Sequence, residues 1–262
     1  MNNELKGNRN FIKFIGTAGA RFVTISQARS SGGIWISFEG TNILIDPGPG
    51  SLVRCHQSHP KLDPTTLDAI ILTHRHIDHC NDINIMIEAM TQGGAKKRGS
   101  VFLPKDMLNG DSMLQNYFRQ LPEKVVALCE SETYSLGAIH FSTPRQHIHS
   151  VETYGLKFNF GCQKISFIAD TKYFDELSDA YQADIVVINT VFIEPLANVD
   201  HLSLKDAGKI ISQMKPKKAI LTHFGRDILK EGAENLSKSL ADECGIEVIA
   251  AFDGMELELQ NI

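Results

Sequence analysis

Short apolar runs recur along the whole chain, and polar or glycine-rich turns separate them. Runs rich in Ile, Val, Leu and Phe predict β-strands, whereas apolar residues spaced three and four apart predict helices. The pattern predicts a first strand over 11–15 and a hairpin with strands over 34–38 and 42–45. Small residues at 16–21 predict a tight strand-to-strand loop, and those at 30–33 predict a second break. The chain therefore begins with a β-rich segment.

Strands and helices alternate after this segment. Further strands are predicted over 67–72, 101–103, 125–128, 139–141, 153–160, 164–168, 185–188, 219–221 and 248–252. Helices are predicted over 51–59, 81–90, 111–121, 174–181, 202–214 and 226–244. Because no low-complexity linker separates the two halves, we predict one domain over 1–262. Two sheets between outer helices accommodate this order of elements.

The composition is that of an ordinary globular protein, with 42% hydrophobic and 22% charged residues. A net charge of −5 argues against a general nucleic-acid binder, although 96–98 offers a local basic patch. The stretch 1–10 lacks the apolar core of a signal peptide, and no apolar run reaches the length of a membrane span. Five scattered cysteines without a C-x-x-C pair favour a reducing cytoplasm over a disulfide framework.

The segment 73–80 carries the strongest chemical signal. His74, His76, Asp78 and His79 come directly after a predicted buried strand. In an extended segment residues two apart point the same way, so His74 and His76 can bind one ion. Asp78 and His79 lie at the turn into the next element and are better placed to face a second ion. Imidazole and carboxylate suit Zn, Mn and Fe, so the pattern favours a metal site over a histidine-rich surface loop.

A two-metal site needs more ligands than this segment supplies. We expect them at strand ends, where loops converge on one edge of the sheets. The loop 144–150 offers two histidines, His147 and His149, which alternation places on the same side. Asp170 and His223 each end an apolar strand. These four side chains are the further ligand candidates.

The motif His74-x-His76-x-Asp78-His79 after an apolar strand resembles the signature of the metallo-β-lactamase-fold hydrolases. This resemblance implies an α/β fold of four layers, an αββα sandwich with two mixed β-sheets packed face to face and helices on the outer faces. The segment from His149-Ser150 onwards is similar to that of phosphodiesterase-like members, and His201 stands where ribonuclease Z-like members have a substrate-facing histidine. The long insertion and the C-terminal Pro- and Lys-rich loop of ribonuclease Z have no clear counterpart, so tRNA 3′-end processing is not implied.

The resemblance also implies a role for each candidate residue. It assigns His74, His76 and His149 to a first ion, Asp78, His79 and His223 to a second, and a bridging position to Asp170. It makes Asp46, which ends a hairpin strand, a support of the metal loop, and His147 remains the alternative to His149. The implied cofactors are two divalent metal ions, with zinc preferred and manganese or iron as alternatives.

The implied reaction is hydrolysis of a small phosphodiester by a hydroxide held between two metal ions. Asp78 would orient that hydroxide, and His201 would contact the phosphate or protonate the leaving oxygen. Lactone or thioester hydrolysis at the same site is the main alternative. A diiron oxidoreductase is disfavoured by His76, where such relatives carry an acid, and β-lactam hydrolysis by Asp170, where those enzymes carry a cysteine. A non-catalytic binding module is disfavoured because every ligand position is filled, and the oligomeric state stays open, with a homodimer among the options.

Overall fold

Two seven-stranded sheets form the centre of the computed structural model, which describes residues 9–31, 33–110 and 112–260. The first sheet has the order β14 (Glu256–Glu258), β1 (Phe11–Phe14), β2 (Ile34–Phe38), β3 (Thr41–Ile45), β4 (Ala69–Ile71), β5 (Ser100–Leu103) and β6 (Lys124–Ala127). The second has the order β13 (Glu247–Ala250), β12 (Lys218–Thr222), β11 (Ile185–Asn189), β10 (Gln163–Ile168), β9 (Leu156–Phe160), β8 (Ile139–Thr143) and β7 (Glu132–Leu136). Both are mixed, because β3 to β6 and β10 to β13 are parallel and the other pairs antiparallel.

Most of the α-helices in the described part of the chain are short. They are α1 (Ala20–Ser26), α2 (Ser51–Gln57), α3 (Ile77–Cys80), α4 (Ile83–Met90), α5 (Asn116–Arg119), α6 (Leu177–Ala180), α7 (Leu204–Met214), α8 (Arg226–Glu231) and α9 (Ala233–Cys244). Short 3₁₀ turns cover Pro64–Thr66 and Lys105–Leu108. Over 9–31, 33–110 and 112–260, no helix has the length and apolar character needed to cross a bilayer.

The continuous apolar strands are explained by burial on both faces. In β4, Ala69 and Ile71 join the apolar cluster between the two sheets, whereas Ile70 joins the cluster beneath α2 and α4. In β11, Val187 faces between the sheets and Val186 faces the cluster beneath α6, α7 and α9. Alternating side chains therefore supply three apolar layers. The predicted αββα sandwich is confirmed.

Several element boundaries differ from the predictions. The predicted helix 226–244 is two helices, because Gly232 between them has φ of 94°. The predicted helix 111–121 shrinks to the single turn α5, and the predicted loop 16–21 runs into α1. The half-exposed β7 and the short β14 were missed because their apolar pattern is weak.

Some sequence predictions involve residues outside the described part. The polar stretch 1–8, used for the prediction about a signal peptide, lies there, as do Gly32 of the predicted break and Asp111 of the predicted helix. All five cysteines are unpaired, as the sequence predicts.

The parallel strands gather the candidate residues at one edge of the fold. Asp46 follows β3, and His74 lies three residues after β4 in the same sheet. Asp170 and His223 follow β10 and β12 in the other sheet. Because the carboxyl ends of parallel strands meet at the same edge, residues more than a hundred positions apart in sequence come into contact there.

Candidate metal centre

The signature segment changes conformation between its second and third candidate residues. The backbone is still extended at His76 (φ −64°, ψ 146°), and α3 begins at Ile77. Asp78 and His79 therefore lie in the first turns of a helix rather than on an extended segment. The side chains of His74 and His79 are buried, at 0% and 4% exposure. His74 and His76 thus lie before this change, and Asp78 and His79 lie after it.

Three histidines and one aspartate form the first group. The Nδ1 atom of His76 lies 3.1 Å from Nε2 of His74 and 3.1 Å from Nε2 of His149. Nε2 of His74 is 3.7 Å from Oδ2 of Asp170. Donor atoms of these four residues lie within 4.8 Å of one another.

A second group forms around His79, His223 and Asp78. The Nε2 atoms of His79 and His223 are 2.9 Å apart, and Nε2 of His223 is 3.5 Å from Oδ2 of Asp78. Asp170 touches this group too, because its Oδ2 lies 3.5 Å from Nε2 of His79 and its Oδ1 lies 3.4 Å from Nδ1 of His223. Asp170 thus stands between the groups, and Asn189 holds its carboxylate through an N–H···O bond of 2.8 Å.

Hydrogen bonds at Nδ1 fix the tautomers of His74, His79 and His149. Nδ1 of His79 donates to Asp46 (2.9 Å), and Nδ1 of His149 donates to the carbonyl of Asp200 (2.8 Å). The Thr73 hydroxyl donates to Asp46 (2.7 Å), so at 3.0 Å it accepts from Nδ1 of His74. The Nε2 atoms of all three rings therefore point a lone pair into the centre.

The pKa shifts in the centre indicate that it favours binding of a cation. Burial and the neighbouring His79 lower the pKa of His74, and burial together with His149 lowers the pKa of His76 to about 4. Burial alone would raise the pKa of Asp170, but His223 and His79 hold it well below its usual value. Burial opposes the charged form of His79, yet Asp170 raises its pKa well above the usual value. Neutral imidazole lone pairs and ionised carboxylates are the forms that bind a dication. At His79 the carboxylates favour a proton on the ring in the absence of metal, and a dication would replace that proton.

The dimensions agree with this chemistry. Two nitrogens bound to one zinc ion at about 2.0–2.1 Å lie roughly 2.9–3.4 Å apart for bond angles of about 90° to 110°. The closest nitrogen pairs in the two groups, at 3.1 Å and 2.9 Å, fall in this range. A cavity of about 50 Å³, lined by Asp78, His79 and His223 among others, provides space at the second group. The residues present therefore fit two divalent ions.

His201 faces this centre without belonging to either group. Its Nδ1 lies 3.4 Å from Oδ2 of Asp170, is buried and has no hydrogen-bond partner. The ring centroid of His201 is 5.2 Å from that of His149, and burial lowers the pKa of His201. The N-cap of α7 is Ser203, which forms a capping box with Asp206, so His201 is not used as a helix cap.

His147 does not reach the centre. It is buried behind Asp170, where its ring packs 5.3 Å from that of Tyr181, and its Nδ1 lies 3.3 Å from the Asp170 carbonyl. Of the two histidines in this loop, His149 is the one that the fold brings to the first group. Sequence reasoning missed Asn189, although it ends β11 at the same sheet edge, and that position was the available signal.

Comparison with known proteins identifies the family. The family model described as beta-lactamase superfamily domain matches residues 41–224, which include every candidate metal ligand. The chain belongs to this superfamily. As a superfamily member with a His/Asp metal-site cluster, it is a metal-dependent hydrolase.

Relatives of this superfamily member align over nearly its full length. An uncharacterised protein of Methanocaldococcus jannaschii is 28% identical over 259 residues, covering 95% of each chain. Ribonuclease Z of Borreliella afzelii is 24% identical over 312 residues, covering 94% of this chain and 96% of the relative. These matches agree with the predicted family.

Solved structures share the fold. YhfI of Bacillus subtilis, a metallo-β-lactamase fold protein, superposes with a TM-score of 0.78 at 20% identity, over 96% of this chain and 100% of that one. A diphosphatase of the PhnP family superposes with a TM-score of 0.71 at 18% identity, over 96% and 97%. At these identities the likeness concerns the fold alone.

Proposed function

We propose that this protein hydrolyses a small phosphodiester with two divalent metal ions, zinc in the first place and manganese or iron as alternatives. The observation that carries the proposal is the position of His201. Its Nδ1 atom is buried beside the Asp170 carboxylate that joins the two ligand groups, yet His201 is not itself part of a ligand group. Such a residue is available to contact substrate. The names ribonuclease Z and diphosphatase among the relatives also favour a phosphorus centre.

The proposed ligands follow the two groups of side chains. His74, His76 and His149 would hold the first ion, Asp78, His79 and His223 would hold the second, and Asp170 would contact both. Two groups support the ligands without reaching the ions. The Asp46 carboxylate accepts a hydrogen bond from Nδ1 of His79, and the Asp200 carbonyl accepts one from Nδ1 of His149. These acceptors keep the rings oriented and their inner nitrogens basic.

Two divalent ions in this site would lower the pKa of water, so that hydroxide is present near neutral pH, and would stabilise charge on the phosphoryl oxygens. Asp78 would accept a hydrogen bond from the attacking group and so orient it. His201, kept neutral by burial, has one N–H to donate to a phosphoryl oxygen or to the departing oxygen. Asn189 holds the Asp170 carboxylate still while these contacts form.

A small substrate also agrees with the distribution of basic residues. The basic stretch 96–98 lies near the start of β4, at the sheet edge opposite the metal centre. Arg98 is bound there by Asp68, at 2.9 Å, and by the Thr65 carbonyl, at 2.7 Å. This patch does not border the centre. We propose a small-molecule substrate, with nucleic acid as the less favoured alternative and no membrane surface.

The test compares His201→Ala with the wild type on bis-p-nitrophenyl phosphate. We expect metal content to be retained and turnover to fall about tenfold or more, since proton transfer contributes roughly 10²–10⁴-fold in enzymes. His140→Ala is the matched control, because His140 is an exposed histidine on β8 that bonds to Ser135. Unchanged turnover in His201→Ala would remove this residue from the chemistry.

A substrate panel separates the proposed reaction from its main alternative. Wild-type protein is assayed on phosphodiesters, lactones and thioesters with the same metal loading. Hydrolysis of the phosphodiesters supports the proposal. Hydrolysis of the lactones or thioesters alone would show that the centre polarises a carbonyl instead.

A further inference from the structure

The small-residue turn 16–19 has no part in the ligand groups, although it is buried beside them. Thr17 is 1% exposed and Ala18 is 7% exposed. The turn connects β1 to α1, and Gly16 and Ala18 line the same cavity as His223. Within the described residues, no catalytic contact explains its burial.

The turn is hydrogen-bonded to the backbone next to the last metal-ligand candidate. The Phe224 amide donates to the Thr17 carbonyl (2.9 Å), and the Gly19 amide donates to the Phe224 carbonyl (3.0 Å). Ala18 and Phe224 form an isolated parallel β-bridge. The turn 16–19 is thus paired with the residue that directly follows His223.

His223 needs such support because of its backbone conformation. It has φ of 60°, in the left-handed region that residues with a Cβ rarely adopt. Its neighbour in the turn, Gly19, has an ordinary φ of −124°, so the requirement at Gly19 is for space and not for conformation. A Cβ on Gly19 would collide with the His223 carbonyl and come within 2.6 Å of its Nδ1.

The turn itself is anchored from the far end of the chain by Asp253. Oδ1 of Asp253 accepts hydrogen bonds from the Thr17 amide (2.9 Å) and the Thr17 hydroxyl (2.7 Å). Its Oδ2 accepts from the Ser30 amide (2.7 Å), while the Ala18 amide donates to the Ser30 carbonyl (3.0 Å). One carboxylate therefore fixes both sides of the turn.

We propose that Thr17, Gly19 and Asp253 form a clamp whose task is to position His223. The clamp holds the left-handed backbone so that the imidazole faces Asp78 and His79. It acts only on the second ligand group, because the histidines of the first group lie after β4 and β8. The inference rests on the proposed role of His223 as a ligand of the second ion.

The test measures the affinity of each of the two zinc ions by competition with a chromophoric chelator. For Asp253→Asn we expect affinity for the second ion to fall about tenfold or more and affinity for the first to stay within about twofold, because residues that orient ligands typically contribute 10- to 100-fold. Asp63→Asn is the matched control. Asp63 accepts from the amide and hydroxyl of Thr65 in the same way, at 3.0 Å and 2.8 Å, but lies before β4, far from the centre.

Two further variants separate positioning from general stability. Thr17→Val removes the hydroxyl bond to Asp253 and should lower the affinity for the second ion. Thr17→Ser keeps that bond and should retain the wild-type affinity. The melting temperature of each metal-free protein is recorded beside the titrations. A purely structural role would lower the affinity for both ions together.

The outcomes also distinguish this inference from the function proposed above. If both wild type and Asp253→Asn bind two ions tightly, the proposed role of the clamp is wrong, while the proposed metal centre is retained. A wild type that does not bind a second ion would overturn the proposed centre itself.

Discussion

The substitution Asp46→Asn tests the hydrogen bonds that support the metal-ligand candidates. The Asp46 carboxylate accepts three hydrogen bonds, from the Thr73 amide (2.7 Å), the Thr73 hydroxyl (2.7 Å) and Nδ1 of His79 (2.9 Å). Asn keeps the size and tolerates the left-handed backbone at this position, where φ is 51°. It replaces one acceptor oxygen with an NH₂ group, which would face the hydroxyl and the imidazole. The substitution therefore removes hydrogen bonds without leaving a cavity.

The magnitude follows from the two bonds that Asn cannot accept. A hydrogen bond to a charged group contributes about 1.5–3 kcal/mol, and the side chain of Asp46 is only 12% exposed, so solvent replaces little of the loss. Allowing for relaxation, we expect metal-free Asp46→Asn to lose about 2–4 kcal/mol of unfolding free energy. The Thr73 hydroxyl would then turn toward Nδ1 of His74. Because that contact favours the tautomer with a proton on Nε2, binding of the first ion weakens as well.

The assay combines urea denaturation of the metal-free protein with zinc competition. We expect a lower urea midpoint and a loss of zinc affinity of about 10- to 100-fold. Asp63→Asn, in an exposed turn, should lose at most about 1 kcal/mol and keep full zinc affinity. The reasoning would be refuted by an Asp46→Asn protein that unfolds at the wild-type urea concentration and binds zinc as the wild type does.

Three further predictions follow from other parts of the structure. Removal of metal by a chelator should lower the melting temperature, since each ion that binds only the folded state adds about 2.7 kcal/mol at 100 times its Kd; an unchanged melting curve would contradict a loaded centre. Ser203→Ala removes the N-cap of α7 and should reduce the unfolding free energy by about 1 kcal/mol in urea, with no change in zinc stoichiometry. At pH 8 a thiol reagent should modify the exposed Cys129 and Cys162 quickly. It should modify the buried Cys55 and Cys80 only after unfolding, because burial raises the pKa of both thiols to about 12.

The sequence was most informative where chemistry is local. The segment 73–80 places its ligand candidates within a few residues, and Asp170 and His223 each end an apolar strand, so their meeting at one sheet edge could be predicted. The two-face burial of the strands also follows from their unbroken apolar character, as β4 and β11 show.

The remaining features depend on contacts between distant parts of the chain. Thr17 and Asp253 are 236 positions apart, and neither belongs to a motif that would reveal the clamp. Alternation places His147 and His149 on one side, so residue-level reasoning left both as candidates. In the structure His147 packs against Tyr181, whereas His149 lies beside His76. Helix α1 was missed because its Phe22 and Ile25 are exposed, so its apolar pattern does not mark a buried face.

Anomalous diffraction from zinc-loaded crystals tests the dinuclear centre most directly. We predict two zinc peaks about 3.5–4 Å apart with Asp170 between them. One should be bound by the first ligand group, His74, His76 and His149, and the other by the second, Asp78, His79 and His223. A single peak, or peaks bound by other residues, would contradict the proposed two-metal centre.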